Sequence, residues 1–249
     1  MVAYWCGYSF KVFAGILIGK VVQWRTCNSN EHDILVYGAH GPCACDPRTF
    51  AGRILSANGE DHQPALYTNR TLQIGAGGYP FSYGALEWLN RNFTQYTGPV
   101  KHYAVAYANS NCVKEREMMV EALSAYVPVH AYGRCTGSTT INMHKEAKWS
   151  TNAQWFQGYA FVFAAEHGVT PGYTTEKAFV AAAAGAVPIY WGASSLATYM
   201  NPHRILFWNA STPRLVKELM HSNLRDLPAV DRVDLVARAR HILSKLMSL

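Results

Sequence analysis

The sequence predicts an α/β protein of two domains, each a parallel sheet with helices on its faces, with ligand held at the carboxyl ends of the strands. Three observations lead there. Short apolar runs such as Ile34 to Tyr37, His102 to Ala108, Tyr159 to Ala165 and Ala186 to Trp191 are continuous rather than alternating, as strands buried on both faces are. Helical stretches separate several of these runs, which is the rhythm of a parallel sheet. The alternation begins afresh after Tyr96 to Pro99 (YTGP), the expected linker. It divides the chain into residues 1–98 and 99–249, with the last helix packing back on the first domain.

The elements follow in order. Val2 to Trp5 reads as a strand, Tyr8 to Gly19 as a helix, and Val21 to Trp24 as a second strand before the polar turn CNSNEHD. Ile34 to Tyr37 is a buried strand ending in Gly38. Pro47 to Gly52 is expected as a short helix feeding the strand Arg53 to Ala57, and Gly75 to Tyr83 as an irregular connection. In the second half, His102 to Ala108 is a strand, Asn109-Ser110-Asn111 a polar turn, and Lys114 to Ser124 a helix. Val127 to Ala131 and Tyr159 to Ala165 are strands. A helix beginning around Thr174 to Lys177 ends at Gly185, and the strand Ala186 to Trp191 closes at Gly192. Pro213 to His221 and Asp231 to Leu249 are helical. In the last of these, Val233, Val236, Ala237, Ile242, Leu246 and Leu249 can share one face.

Composition narrows the function. With 249 residues, 49% hydrophobic and 15% charged, the chain is a folded globular protein with ample core. The net charge of +6 fits an anionic partner, but Lys and Arg never run four together, which argues against a nucleic-acid partner. No segment approaches the roughly 20 apolar residues of a membrane span, and Val12 to Val22 is broken by Lys20. The chain is therefore expected to be soluble, in the cytoplasm or, with an upstream anchor, in the Golgi lumen. The six cysteines are too dispersed for a disulfide scaffold and are expected as free or buried thiols. Sequons at Asn69, Asn92 and Asn209 matter only in a secretory lumen.

Three clusters can carry chemistry. Asn109-Ser110-Asn111, with Arg116 one turn into the following helix, is an anion-binding turn with a guanidinium in reach; equally, Ser110 or Asn111 caps the helix and Arg116 is solvated. Glu166-His167 and Tyr173-Thr174-Thr175-Glu176-Lys177 put a carboxylate suited to ribose hydroxyls beside an ammonium suited to phosphate. They follow a strand and open a helix, where the dipole also favours an anion. Asn58-Gly59-Glu60-Asp61 places a carboxylate after a strand, where Glu60 can take a proton from a hydroxyl, or it is an ordinary Asn-Gly turn.

These motifs, in this order, resemble the α-1,3/4-fucosyltransferases, and the bacterial soluble members in particular. The resemblance rests on Gly59-Glu60 after a strand, Ser110-Asn111 with Arg116, YGRC at Tyr132 to Cys135, Ala165-Glu166-His167, and Thr175-Glu176-Lys177. It continues through AGAVPIYWG at Ala184 to Gly192 and Tyr199-Met200-Asn201-Pro202. The family usually has Phe-Glu-Asn where this chain has Ala165-Glu166-His167, and Asp-Tyr where it has Gly172-Tyr173. The resemblance implies a GT-B-like fold, two Rossmann-like domains facing across a cleft. It implies GDP-fucose as donor and a glycan hydroxyl as acceptor, with Glu60 as general base. Arg116 and Lys177 would bind the GDP phosphates and Glu176 the ribose. Glu166, Tyr173 and the Ser110-Asn111 turn would shape the nucleotide pocket, beside His167. With no Asp-x-Asp sequence, no metal cofactor is required, and Mn²⁺ or Mg²⁺ stimulation stays open. Two other readings remain: a glycosyltransferase with a different nucleotide sugar, or a non-catalytic relative that binds GDP-sugar or glycan.

Overall fold

The computed structural model describes residues 3–6, 30–38, 45–58, 69–75, 82–109, 111–133, 135 and 152–248. The expected helix Tyr8 to Gly19 and strand Val21 to Trp24 lie outside them. The fold is α/β, with two sheets whose described strands pair in parallel. The chain divides into two units. One is Met1–Phe93 with Thr170–Glu176 and Asp231–Leu249, the other Thr94–Val169 with Lys177–Val230.

In the first unit β1 (Ala3–Cys6), β2 (Ile34–Gly38), β3 (Arg53–Asn58) and β4 (Thr71–Gly75) lie side by side in that order. Leu35, Cys45, Phe50 and Ile54 form a buried cluster over the sheet. The segment from Pro47 to Gly52, expected as a helix, is a run of turns and bends instead. The Asp46 carboxylate accepts the Arg48 amide at 2.9 Å and its carbonyl the Thr49 amide at 3.1 Å, which closes one turn, and β3 begins at Arg53 before a second can follow. The sequence reading had no strand at β4 and no helix at α1 (Tyr83–Asn90). The buried hydroxyl of Ser82 caps α1 by accepting the Ala85 amide at 3.2 Å.

Helix α6 (Arg232–Met247) starts where the Asp231 carboxylate accepts the amides of Val233 and Asp234, at 2.8 and 3.2 Å. It packs on α1, β3 and β4. Its buried face is Leu235, Ala239, Ile242 and Leu246, at spacings of four, three and four. This corrects the expected face: Val233 is 80% exposed and Ala237 also points to solvent. Val233, Leu235, Val236 and Ala237 in the first two turns fit two stripes, and packing selects the one that carries leucine.

The second unit holds β5 (His102–Asn109), α2 (Lys114–Ser124), β6 (Val129–Gly133), α3 (Asn152–Phe156), β7 (Tyr159–Ala165), α4 (Lys177–Ala183), β8 (Val187–Trp191), β9 (Leu206–Phe207) and α5 (Thr212–Glu218). The sheet order is β6-β5-β7-β8-β9. Every residue of β7 is buried, as the unbroken run YAFVFAA requires of a central strand. Helix α4 is buried from Ala178 to Ala183, and alanine lets it lie close to its neighbours. It ends in a Schellman turn at Gly185 (φ +77°), where the Gly185 amide donates to Ala182 O and the Ala186 amide to Ala181 O. The Tyr96 to Pro99 segment is tied into this unit, the Tyr96 amide donating to Ala183 O at 2.9 Å.

The cysteines depart from expectation. Cys112 and Cys135 form a disulfide across a sequence separation of 23, and Cys45 is disulfide-bonded too. Dispersion in sequence misled here. Cys112 follows β5 and Cys135 follows β6, and these strands are hydrogen-bonded neighbours, so the loops leaving them emerge side by side.

Candidate functional site

The order β6-β5-β7 contains a reversal. From β5 the chain goes to β6 on one side and then crosses to β7 on the other. Loops leaving the carboxyl ends of β5 and β7 therefore diverge, and the crevice between them is where open parallel sheets bind ligands. Asn109 ends β5 and Glu166 directly follows β7.

Glu166 organises what is found there. Its side chain is wholly buried. One carboxylate oxygen, Oε2, lies 3.3 Å from Lys177 Nζ, and the other, Oε1, accepts the Tyr190 hydroxyl at 3.3 Å. Its backbone carbonyl accepts Arg116 Nε at 2.7 Å, and its amide donates to Trp191 O at 2.8 Å. Arg116, on the first turn of α2, is 2% exposed and also donates from one terminal nitrogen to Asn111 O at 3.4 Å. Of the two readings of Arg116, solvation is thereby removed. Capping by Asn111 fails as well: the N-cap of α2 is Val113, with no side-chain cap. Lys177 opens α4 with its side chain 30% exposed, so its ammonium reaches both Glu166 and solvent.

Two glycines permit this closeness. A Cβ on Gly192 would overlap the Tyr190 hydroxyl and sit 2.7 Å from Glu166 Cγ. A Cβ on Gly133 (φ +96°) would overlap the Asn109 carbonyl across the β5–β6 pair. The Cys112–Cys135 disulfide lies beside Asn111, so the loop that holds Arg116 is covalently tied to the end of β6.

Among the residues expected from sequence, Asn111, Arg116, Glu166 and Lys177 are thus brought together in the second unit. His167 follows Glu166 and is exposed. Tyr173 and Glu176 lie in the stretch Thr170–Glu176 grouped with the first unit. There Tyr173 is buried, its amide donating to Thr170 O, and Thr174 O accepts from the Gly84 amide and the Ser82 hydroxyl. Glu60 and Ser110 lie outside the described residues. Sequence reasoning missed Tyr190 and Gly192 as participants. Both sit inside AGAVPIYWG, and the polar Tyr190 in an otherwise apolar buried strand was the available signal.

Among the described residues no cluster of three or more His, Cys, Asp or Glu side chains is arranged to hold a metal ion. No described helix is long and apolar enough to cross a membrane.

Comparison with known proteins agrees with this region. Residues 99–211 match the family profile "Glycosyltransferase family 10 (fucosyltransferase) C-term". The chain is 30% identical over 139 residues to an alpha-(1,4)-fucosyltransferase of Arabidopsis thaliana, covering 49% of this chain and 34% of that one. It is 31% identical over 137 residues to GDP-fucose protein O-fucosyltransferase 3 of Homo sapiens, covering 52% and 28%. The chain thus spans about a third or less of the length of these curated relatives. In fold it is similar to a crystal structure of alpha1,3-fucosyltransferase, with a TM-score of 0.60 and 16% identity over 100% of this chain and 91% of that one. A structure described as alpha1,3-fucosyltransferase with GDP gives a TM-score of 0.59 at 17% identity, again over 100% and 91%. The resemblance to the fucosyltransferases seen in the motifs is borne out, and with it the α/β fold.

Proposed function

We propose that this chain is an inverting fucosyltransferase that moves L-fucose from GDP-fucose to a hydroxyl of an acceptor. The observation that carries the reading is the convergence of Arg116 and Lys177, from two separate helices, on Glu166 at the switch point of the sheet. Two cations fixed at one carboxyl edge suit a diphosphate leaving group. Solved alpha1,3-fucosyltransferases with GDP and with GDP-fucose have this fold, which favours a guanine nucleotide in the same place.

In the reaction, the Glu60 carboxylate takes the proton of the acceptor hydroxyl as its oxygen attacks the anomeric carbon. The bond from that carbon to the β-phosphate oxygen breaks, and GDP leaves with the electron pair. Arg116 and Lys177 hold the charge that develops on the diphosphate, Glu176 holds the ribose, and Tyr173 borders the nucleotide. Inversion turns the β-linked donor into an α-fucoside. The acceptor is a glycan hydroxyl, the 3-position of N-acetylglucosamine or a related sugar. The mammalian relatives, whose name specifies protein O-fucosylation, favour a protein hydroxyl as the second reading. The disulfides favour a compartment oxidising enough to keep them, such as a secretory lumen.

A donor screen tests this reading. Purified chain is mixed with GDP-fucose, GDP-mannose or UDP-sugars and a panel of glycan and polypeptide acceptors, with and without Mn²⁺, and followed by nucleotide release and product mass. The expected result is a fucose mass increment from GDP-fucose alone. Glu60→Gln should abolish transfer while still binding GDP, and Lys177→Ala should lower the rate by about 10²–10³. GDP binding with no transfer to any acceptor would leave a binding protein, and another sugar's mass would replace the donor.

A further inference from the structure

We propose that Glu166 is a positioning residue: it does not touch the donor but holds both phosphate-binding cations in place, so that Arg116 and Lys177 work as one unit. The inference rests on the donor reading above. It departs from the simpler expectation that Glu166 lines the nucleotide pocket.

Four observations carry it. The Glu166 side chain has no exposed surface, whereas that of Lys177 beside it is 30% exposed. Both carboxylate oxygens are engaged within the protein, by Lys177 and by Tyr190. The same residue's carbonyl receives the Arg116 guanidinium through Nε, leaving the terminal nitrogens of that fork to reach Asn111 and beyond. Finally, Gly192 leaves the space that Tyr190 and Glu166 need to meet, and any side chain there would push one of them away.

Lys177 has three N–H donors and Glu166 takes one of them. An ammonium on a four-carbon stem is otherwise a mobile point charge, and fixing one donor directs the rest. A buried carboxylate fixes it more firmly than water would, because the alternative is an uncompensated charge in a low-dielectric interior. Tyr190 holds the other carboxylate oxygen, so the carboxylate cannot rotate to follow the lysine. Neutralising Glu166 should therefore loosen Lys177 while leaving the backbone carbonyl that holds Arg116 intact.

The test uses the full chain and GDP as the probe, by calorimetry, with thermal unfolding measured on every variant. Glu166→Gln keeps the size of the side chain and its bond to Tyr190. It is expected to weaken GDP about tenfold or more with little change in melting temperature. Lys177→Ala is expected to weaken GDP and also to lower the melting temperature, because Glu166 then stays buried without its cation. In the double variant Glu166→Gln/Lys177→Ala the melting temperature should recover, and GDP affinity should be no worse than in Lys177→Ala alone. A Glu166→Gln variant that binds GDP as the wild type does would overturn the assignment, as would losses that multiply in the double variant. A wild-type chain that binds no GDP would bring down the donor reading, and this assignment with it, and is told apart by needing no variant.

Discussion

An alanine at Gly192 would put its methyl into the Tyr190 hydroxyl and within 2.7 Å of Glu166 Cγ. Tyr190 is 1% exposed and Glu166 fully buried, so neither has room to retreat. Gly192→Ala should therefore cost about 1–3 kcal/mol, as overpacking in a closed interior does. Urea unfolding checks this, and an unchanged midpoint would mean that the Glu166–Tyr190 contact is not held as described. The residues around this glycine differ in how far the sequence betrays them. Lys177 and Arg116 stand out as charges after apolar strands, and the resemblance to the fucosyltransferases singles them out. The burial of Glu166 has no such mark. Its partners are 11, 24 and 50 residues away along the chain, and only the pairing of β5, β7 and β8 assembles them. Gly192 reads as a strand terminator, and its second task of admitting a hydroxyl and a carboxylate depends on neighbours from two strands.

The loops that leave β5 and β6 are joined by Cys112–Cys135, and the former loop supplies the Asn111 carbonyl that Arg116 meets. Cross-linking a loop of this length stabilises by about 3 kcal/mol, mainly by restricting the unfolded chain. The double variant Cys112→Ser/Cys135→Ser should lose about that much in urea unfolding and should also bind GDP more weakly. A stable variant with normal GDP affinity would separate the disulfide from the site. Regular elements were legible where pattern was unambiguous. Helix α2 and strand β7 have the bounds that their periodicity and apolar run predict. Element α1 and strand β4 were not, because they lie around a glycine- and aromatic-rich stretch whose local propensities are weak. Helix α6 was recognised but its face was not: Val233 and Leu235 offer rival stripes, and only contact with α1, β3 and β4 decides between them. The helix expected at Pro47 to Gly52 stops at one turn because β3 begins at Arg53, which leaves too few residues for it to propagate.

Continuous apolar runs identify an α/β chain with two parallel sheets, but no run reveals that Thr170–Glu176 groups with residues near the start. That grouping is a product of tertiary packing, which linear periodicity does not encode. Stability of the folded chain also depends on long-range groupings, and one of them responds to pH. His130 on β6 meets the Tyr159 hydroxyl through Nδ1 at 2.7 Å, and that hydroxyl in turn meets Tyr132 at 2.6 Å. The ring of His102, at the start of β5, stacks on Tyr159 with centroids 4.6 Å apart and lies 5.9 Å from His130. Burial, and then repulsion from His102, push the pKa of His130 below its ordinary 6.5. Near and below that value the unfolded chain binds more protons than the folded one, so unfolding free energy rises with pH. The contribution is therefore complete above about pH 6.5 and is lost as the pH falls through the lowered folded value. Thermal unfolding at pH 7.5 and 5.0 should show a drop on acidification beyond that from carboxylates. His130→Gln keeps a side chain able to meet Tyr159 but has no proton to gain, so its drop should be smaller. An equal drop in both proteins would mean that protonation of His130 does not oppose folding, and that the Tyr159 contact accommodates the charged ring.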